Sequence, residues 1–216
     1  MLEVEKLGVK IGSATILREV SLQVPVGAMC GLIGRNGAGK TTFLRSVMGL
    51  NKVHTGRVAF DHVNLLEVHG HKRAHMGIGY MPEDRRLVPD LTVQENVLMP
   101  AWATGMEKAE DRLEWVYEII PEVREFAPRR ASMLSGGQQK LVALARALMC
   151  GTRMLLLDEP FEGVAPALSR RLAQVLSTIK GEGLSILLAE SNEKHVEDLL
   201  DSIFVIERGE ITTRGA

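Results

Sequence analysis

Short apolar runs alternate with helical patterns along most of the chain, and that alternation predicts an α/β core with a largely parallel sheet. Four runs read as buried strands: Met29 to Ile33, Met154 to Leu157, Ser185 to Ala189 and Ser202 to Ile206. Each is short, rich in Leu, Ile or Val, and followed by Gly or a charged residue, as expected of strands covered on both faces. After the third comes Asn192 to Leu200, read as a helix with Asn192 as its cap. Pro166 stands at a first helical position, and Leu168, Leu172, Val175, Leu176 and Ile179 follow it as one apolar stripe that Gly181 can end. That stripe is core rather than a site. Residues 1–26 and 56–60 alternate more, and predict antiparallel strands flanking the core.

From Leu91 to about Ala131 the pattern changes. Thr92-Val93-Gln94-Glu95 is a capping box opening a helix, and Leu113, Val116, Tyr117 and Ile120 form a second helical face that stops at Pro121. The stretch reads as a helical insert within a single domain covering residues 1–216.

Composition narrows the function classes. At 216 residues the chain has room for one well-buried domain with a subdomain, and a formal net charge of -1 gives no bulk reason to expect nucleic acid as a partner. The start, Met1-Leu2-Glu3-Val4-Glu5-Lys6, shows no secretory signal, and no apolar run reaches the roughly 18 residues of a membrane span. Any membrane role is therefore expected to run through another polypeptide. Cys30 and Cys150 fit neither a metal spacing nor a disulfide framework and read as buried small hydrophobes in a reduced compartment. His69, His71 and His75 read as a solvated turn, because no acid or cysteine joins them at a ligand spacing.

Three segments carry candidate chemistry. Gly34-Arg35-Asn36-Gly37-Ala38-Gly39-Lys40-Thr41 fits GxxxxGK[ST] between an apolar strand and a helical pattern. Its glycines let backbone amides approach phosphates, Lys40 can reach the terminal phosphates, and the Thr41 hydroxyl can ligate Mg²⁺. Leu155-Leu156-Leu157-Asp158-Glu159 ends a strand at the carboxyl edge of the sheet. There Asp158 can hold the metal, and Glu159 can orient and deprotonate a water. Taken alone, such acids are as often helix caps. Between these two segments, Ser135-Gly136-Gly137-Gln138 has the S-x-x-Q form of a capping box. Its two glycines lower helix propensity and leave amides bare for a phosphate.

In this order and spacing the three segments resemble the nucleotide-binding subunit of an ABC transporter, with Leu134 to Gln138 as the signature sequence, and the resemblance covers essentially the whole chain. Within that family, Tyr80 to Arg86, Asp90 to Asn96 and Glu162 to Pro166 are similar to stretches of the branched-chain amino-acid importer ATPases. The resemblance implies a P-loop NTPase, RecA-like core with a mostly parallel sheet, an N-terminal antiparallel β subdomain and a helical subdomain inserted at about 91–134. It implies ATP and Mg²⁺ as ligands, with Gly34, Asn36, Gly37, Ala38, Gly39, Lys40, Thr41 and Thr42 around the nucleotide and Ile11 against the adenine. It implies a homodimer, or a heterodimer with a related subunit, in which Ser135, Gly136, Gly137 and Gln138 face the nucleotide of the opposite subunit. The further partners implied are membrane-embedded permease subunits with a solute-binding protein, which places the chain at the cytoplasmic face of the membrane.

The sequence departs from the family pattern at several points. Glu83 stands where most relatives carry a glutamine that reaches the metal and the attacking water, and is retained as a metal candidate. Ser191 occupies the place of the switch histidine, and His195 reads as a lone exposed histidine on a helix. Ile11 replaces an aromatic residue, so adenine contact there is apolar without ring stacking. Phe161 replaces a small polar residue. Two other readings remain open beside amino-acid import: the same machine on a sugar importer or an exporter, and an ABC protein without transport, either soluble or an ATP-gated regulatory module.

Overall fold

In the computed structural model, which describes residues 1–214, the parity of side chains along the buried strands sets the layers. Strand β1 (Leu2–Ile11) pairs antiparallel with β2 (Ala14–Val24). Next come β3 (Met29–Ile33), α1 (Lys40–Val47), β4 (Val53–Phe60), β5 (Val63–Asn64), α2 (Gly70–Arg73) and β6 (Ile78–Met81). Three helices follow, α3 (Val93–Thr104), α4 (Ala109–Ile119) and α5 (Pro121–Phe126), then the long α6 (Gly136–Cys150). The chain closes with β7 (Met154–Asp158), α7 (Pro166–Gly181), β8 (Ser185–Glu190), β9 (Ser202–Glu207) and β10 (Glu210–Arg214).

One sheet has the order β2-β1-β4-β5 and is antiparallel; the other runs β10-β9-β3-β8-β7-β6, parallel except for β10. Along β7, Met154 and Leu156 join a core shared with β1, β2, β4 and α1, while Leu155 and Leu157 join the core under α3 to α7. Strands β3, β8 and β9 divide their side chains the same way. Parallel strands buried on both faces read as continuous apolar runs, which is why these four were visible in the sequence. The expected α/β architecture is present, with the antiparallel strands and α1 on one side and α3 to α7 on the other.

Thr92 caps α3 through a capping box with Glu95, and Ser135 caps α6 through one with Gln138. Pro121 opens α5 where the preceding helical face was expected to stop. Asn192 to Leu200 differs from expectation. Its only helical piece is a 3-10 turn at Glu197–Leu199, and Asn192 Oδ1 accepts from the Lys194 amide at 3.3 Å in a local turn. Only Val196 and Leu200 are fully buried there. Two anchors over nine residues give too little apolar face to offset the cost of nucleating a helix. Cys30 and Cys150 are buried and free, as read. Among the described residues no helix is long and apolar enough to cross a membrane.

Candidate functional site

Three parallel strands end together. Ile33 of β3 is in register with Glu190 of β8, and Asp158 of β7 with Ala189. The segment after Ile33 wraps into a cradle with Gly37 at φ 81° and Gly39 at φ 116°, a left-handed backbone that a β-carbon would strain. Helix α1 starts at Lys40 directly behind it, so the positive end of the helix faces the cradle. The cradle is tied to its neighbours through the backbone. The Gly34 amide donates to Glu190 O at 3.0 Å, and the Gly209 amide donates to Ala38 O at 3.0 Å.

Lys40 is buried, and its Nζ donates to Gly34 O at 2.5 Å and Arg35 O at 3.3 Å while lying 2.8 Å from Glu159 Oε1. All three of its donors are therefore directed at the loop and at the acid. Thr41 Oγ1 donates to Asp158 Oδ1 at 3.1 Å, and Tyr80 OH donates to Asp158 Oδ2 at 3.3 Å. Strand parity explains the pairing: Asp158 follows 154 and 156 onto the face that α1 covers. Burial pushes the Asp158 carboxyl up to about 6, against the two hydroxyl donors that lower it. The same burial, with Asp158 beside it, raises the Tyr80 phenol.

Glu159 has φ 50°, a disfavoured conformation for a residue with a side chain. Its Oε2 is buried without a hydrogen-bond partner. A protonated Glu190 beside it can donate a hydrogen bond to this carboxylate, and so can an incoming water. Next to it, Glu190 follows 186 and 188 onto the opposite face of the sheet and accepts the Phe161 amide on Oε1 at 2.8 Å. Burial and then the neighbouring Glu159 carboxylate push Glu190 up to about 8. Glu190 was not singled out in the sequence, where it is simply the charged residue after the apolar run Ser185 to Ala189.

Glu83 is exposed on the loop after β6, on the rim shared with Thr41 and Glu159. Its carboxyl is raised, first by desolvation and then by Glu162 and Glu159. The loop is anchored to α6: Arg146 donates to Arg86 O at 2.7 Å and to Arg85 O, and Arg85 donates to Gly136 O at 3.3 Å. Arg85 and Arg86 both have positive φ, at 61° and 48°, which those bonds help to hold.

Asn36, Gly37, Gly39, Lys40, Thr41 and Thr42 line one cleft with Glu83, Glu159 and Ile16. Gly34 and Ala38 line the adjoining one with Ser191. Ile11 lies at the exposed end of β1, opposite Ala14, and it is Ile16 that borders the cleft. A hairpin end can present either residue, and spacing alone did not separate them. His195 is exposed but not isolated: its ring stacks on Phe161 at 5.4 Å. Ser135 to Gln138 are not gathered with the cradle in this single chain. Ser135 is exposed at the start of α6, where its hydroxyl accepts the Gln138 amide at 3.3 Å.

The oxygens of Thr41 and Asp158 converge as hard donors that fit Mg²⁺. The glycine cradle, Lys40 and the α1 start fit phosphates.

Comparison with known proteins agrees with this geometry. The family model described as ABC transporter matches residues 17–162. The chain is 33% identical over 211 residues to the high-affinity branched-chain amino acid transport ATP-binding protein BraG of Pseudomonas aeruginosa, covering 98% of this chain and 91% of that protein. It is 31% identical over 217 residues to the lipopolysaccharide export system ATP-binding protein LptB of Haemophilus influenzae, covering 100% and 90%. A nucleotide-free ATP-binding cassette from an ABC transporter superposes with TM-score 0.86 at 28% identity, over 100% of this chain and 92% of that one.

Proposed function

The chain belongs to the ABC transporter family as an ATPase subunit, and we propose that it powers import of branched-chain amino acids or a related small solute, dimerising on ATP. The observation that carries the catalytic part is the convergence of Lys40, Thr41, Asp158 and Glu159 at the carboxyl ends of β3 and β7.

The cradle amides and Lys40 bind and orient the triphosphate. Thr41 and Asp158 hold Mg²⁺, which when bound neutralises developing charge on the phosphate oxygens. Glu159 orients the attacking water and takes its proton as the bond from oxygen to the terminal phosphorus forms and the bond to ADP breaks. For Lys40 to serve the phosphates it must turn from Glu159, which frees the carboxylate for water. Ser135 to Gln138, at the start of α6, line neither of the two cradle clefts of their own chain, so a second copy or a related subunit supplies them. Glu83 flanks the metal position from the loop after β6. Ser191 stands at the switch position and borders the cradle.

The importer assignment rests on the amino-acid transport relative and on the stretches at Tyr80, Asp90 and Glu162. A lipopolysaccharide-export relative of nearly equal identity favours a second reading, the same ATPase attached to an exporter. Glu159→Gln tests the chemistry: it is expected to bind ATP and hydrolyse it at least about 100-fold more slowly, and wild-type turnover would refute the assignment. Mass identification of proteins co-purifying from native membranes separates the two transport readings. A permease with a solute-binding protein supports import, and an export assembly overturns it.

A further inference from the structure

Lys140 is a buried cation with no part in the chemistry above. It lies in α6, just beyond Gln138, and its Nζ donates to Glu159 O at 2.8 Å, to Pro160 O at 3.1 Å and to Glu162 O. Those three carbonyls use all three ammonium donors. Burial lowers its proton affinity while the acids at 190, 162 and 159 oppose that effect. A charge kept inside at such a cost to hydration is expected to do something that a neutral side chain would not.

The gripped segment is the one that carries Glu159 in its disfavoured φ. From β8, on the same side of the sheet as α6, Glu190 holds the same segment through the Phe161 amide at 2.8 Å. The backbone of the candidate base is thus clamped between β8 and α6, and the clamp on the α6 side is a single side chain.

We propose that Lys140 is a positioning residue for Glu159, tying the helix that begins with Ser135 to Gln138 to the backbone of the base, so that seating that helix against a nucleotide and aligning Glu159 become one event. The inference rests on reading Glu159 as the general base. The ligand concerned is the ATP bound at the opposite subunit's cradle.

The test uses the full chain and MgATP, with steady-state phosphate release, the melting temperature and four variants. Lys140→Met removes the donors and is expected to lower kcat about 10- to 100-fold, as a misplacement of the order of an ångström does, with KM for ATP within about twofold. Lys140→Arg, which keeps a charged donor over the carbonyls, recovers most of the turnover. In a Glu159→Gln background, adding Lys140→Met costs nothing further, because the group it aligns is gone. Wild-type kcat in Lys140→Met, or the same loss in both backgrounds, overturns the proposal. If Lys140→Met does not fold, Lys140→Gln is read by the same criteria. If Glu159→Gln alone retains wild-type turnover, the base assignment fails and this inference falls with it. If Glu159→Gln is slow and Lys140→Met is fast, only the role of Lys140 falls.

Discussion

The ammonium of Lys40 and the carboxylate of Glu159 stand 2.8 Å apart, both side chains about 4% exposed. Removing one partner strands the other charge away from water, at a cost of about 3–5 kcal/mol. Lys40→Met is therefore expected both to abolish ATP hydrolysis and to lower the melting temperature. Adding Glu159→Gln to Lys40→Met should restore much of the stability and none of the turnover. Thermal melts of the three variants beside phosphate-release assays check this, and a double variant no more stable than Lys40→Met would contradict it.

Glu190 sets a pH dependence of stability. Its folded-state value is raised from 4.5 to about 8, so between those limits the native protein holds a proton that the unfolded chain has released. Stability from this group is present below about 4.5 and declines as pH rises through about 8. Glu190→Gln keeps an acceptor for the Phe161 amide and cannot ionise. Melting curves at a series of pH values should show wild type losing ground to Glu190→Gln as pH rises from 5 to about 8, then running parallel to it. Parallel curves over the whole range would place the ionisation elsewhere.

Arg73 gathers carbonyls at the end of α1. It is buried, and its guanidinium donates to Val68 O, Ser46 O, Leu65 O and Val47 O. Arg73→Lys leaves several of those oxygens without partners, and is expected to cost about 2–4 kcal/mol. At 2–4 °C per kcal/mol for a chain of this size, the melting temperature should drop by roughly 4–16 °C. Melting in parallel with wild type would show that water replaces the lost donors.

Ser135 separates two roles. As a cap, its loss in Ser135→Ala should destabilise by about 0.5–2 kcal/mol. If it also faces the nucleotide of a second subunit, turnover should fall much further than stability, with ATP affinity of the isolated chain unchanged. Titration of the monomer with a fluorescent ATP analogue, beside turnover at high protein concentration, distinguishes these effects.

Much of this was legible beforehand because it is local. Met154 to Leu157 and Ser185 to Ala189 announce buried parallel strands by composition, and the glycine spacing from 34 to 39 announces a phosphate cradle. What escaped was what depends on distant partners. Glu190 and Lys140 look like ordinary residues of a strand end and a helix, and only folding brings each against the segment from Glu159 to Glu162. Arg73 and Arg146 were silent for the same reason, since main-chain carbonyls leave no trace in side-chain patterns. The helix expected at 192–200 failed on a quantity the pattern could not weigh, the depth to which Val196 and Leu200 are buried without further anchors. For Ile11 and Ile16, the choice depended on how the β1–β2 hairpin meets the cradle.

That cradle is made of main chain, spliced to β8 through Gly34 and to the β9–β10 turn through Ala38. Amides read phosphates and are blind to the base they are attached to. Ile16 borders the cleft with an aliphatic side chain, where an aromatic ring would be needed to stack on a purine. On the proposed reading the fuel is held by its tail, and the Ile16 side chain has no hydrogen-bonding group with which to tell one purine from another.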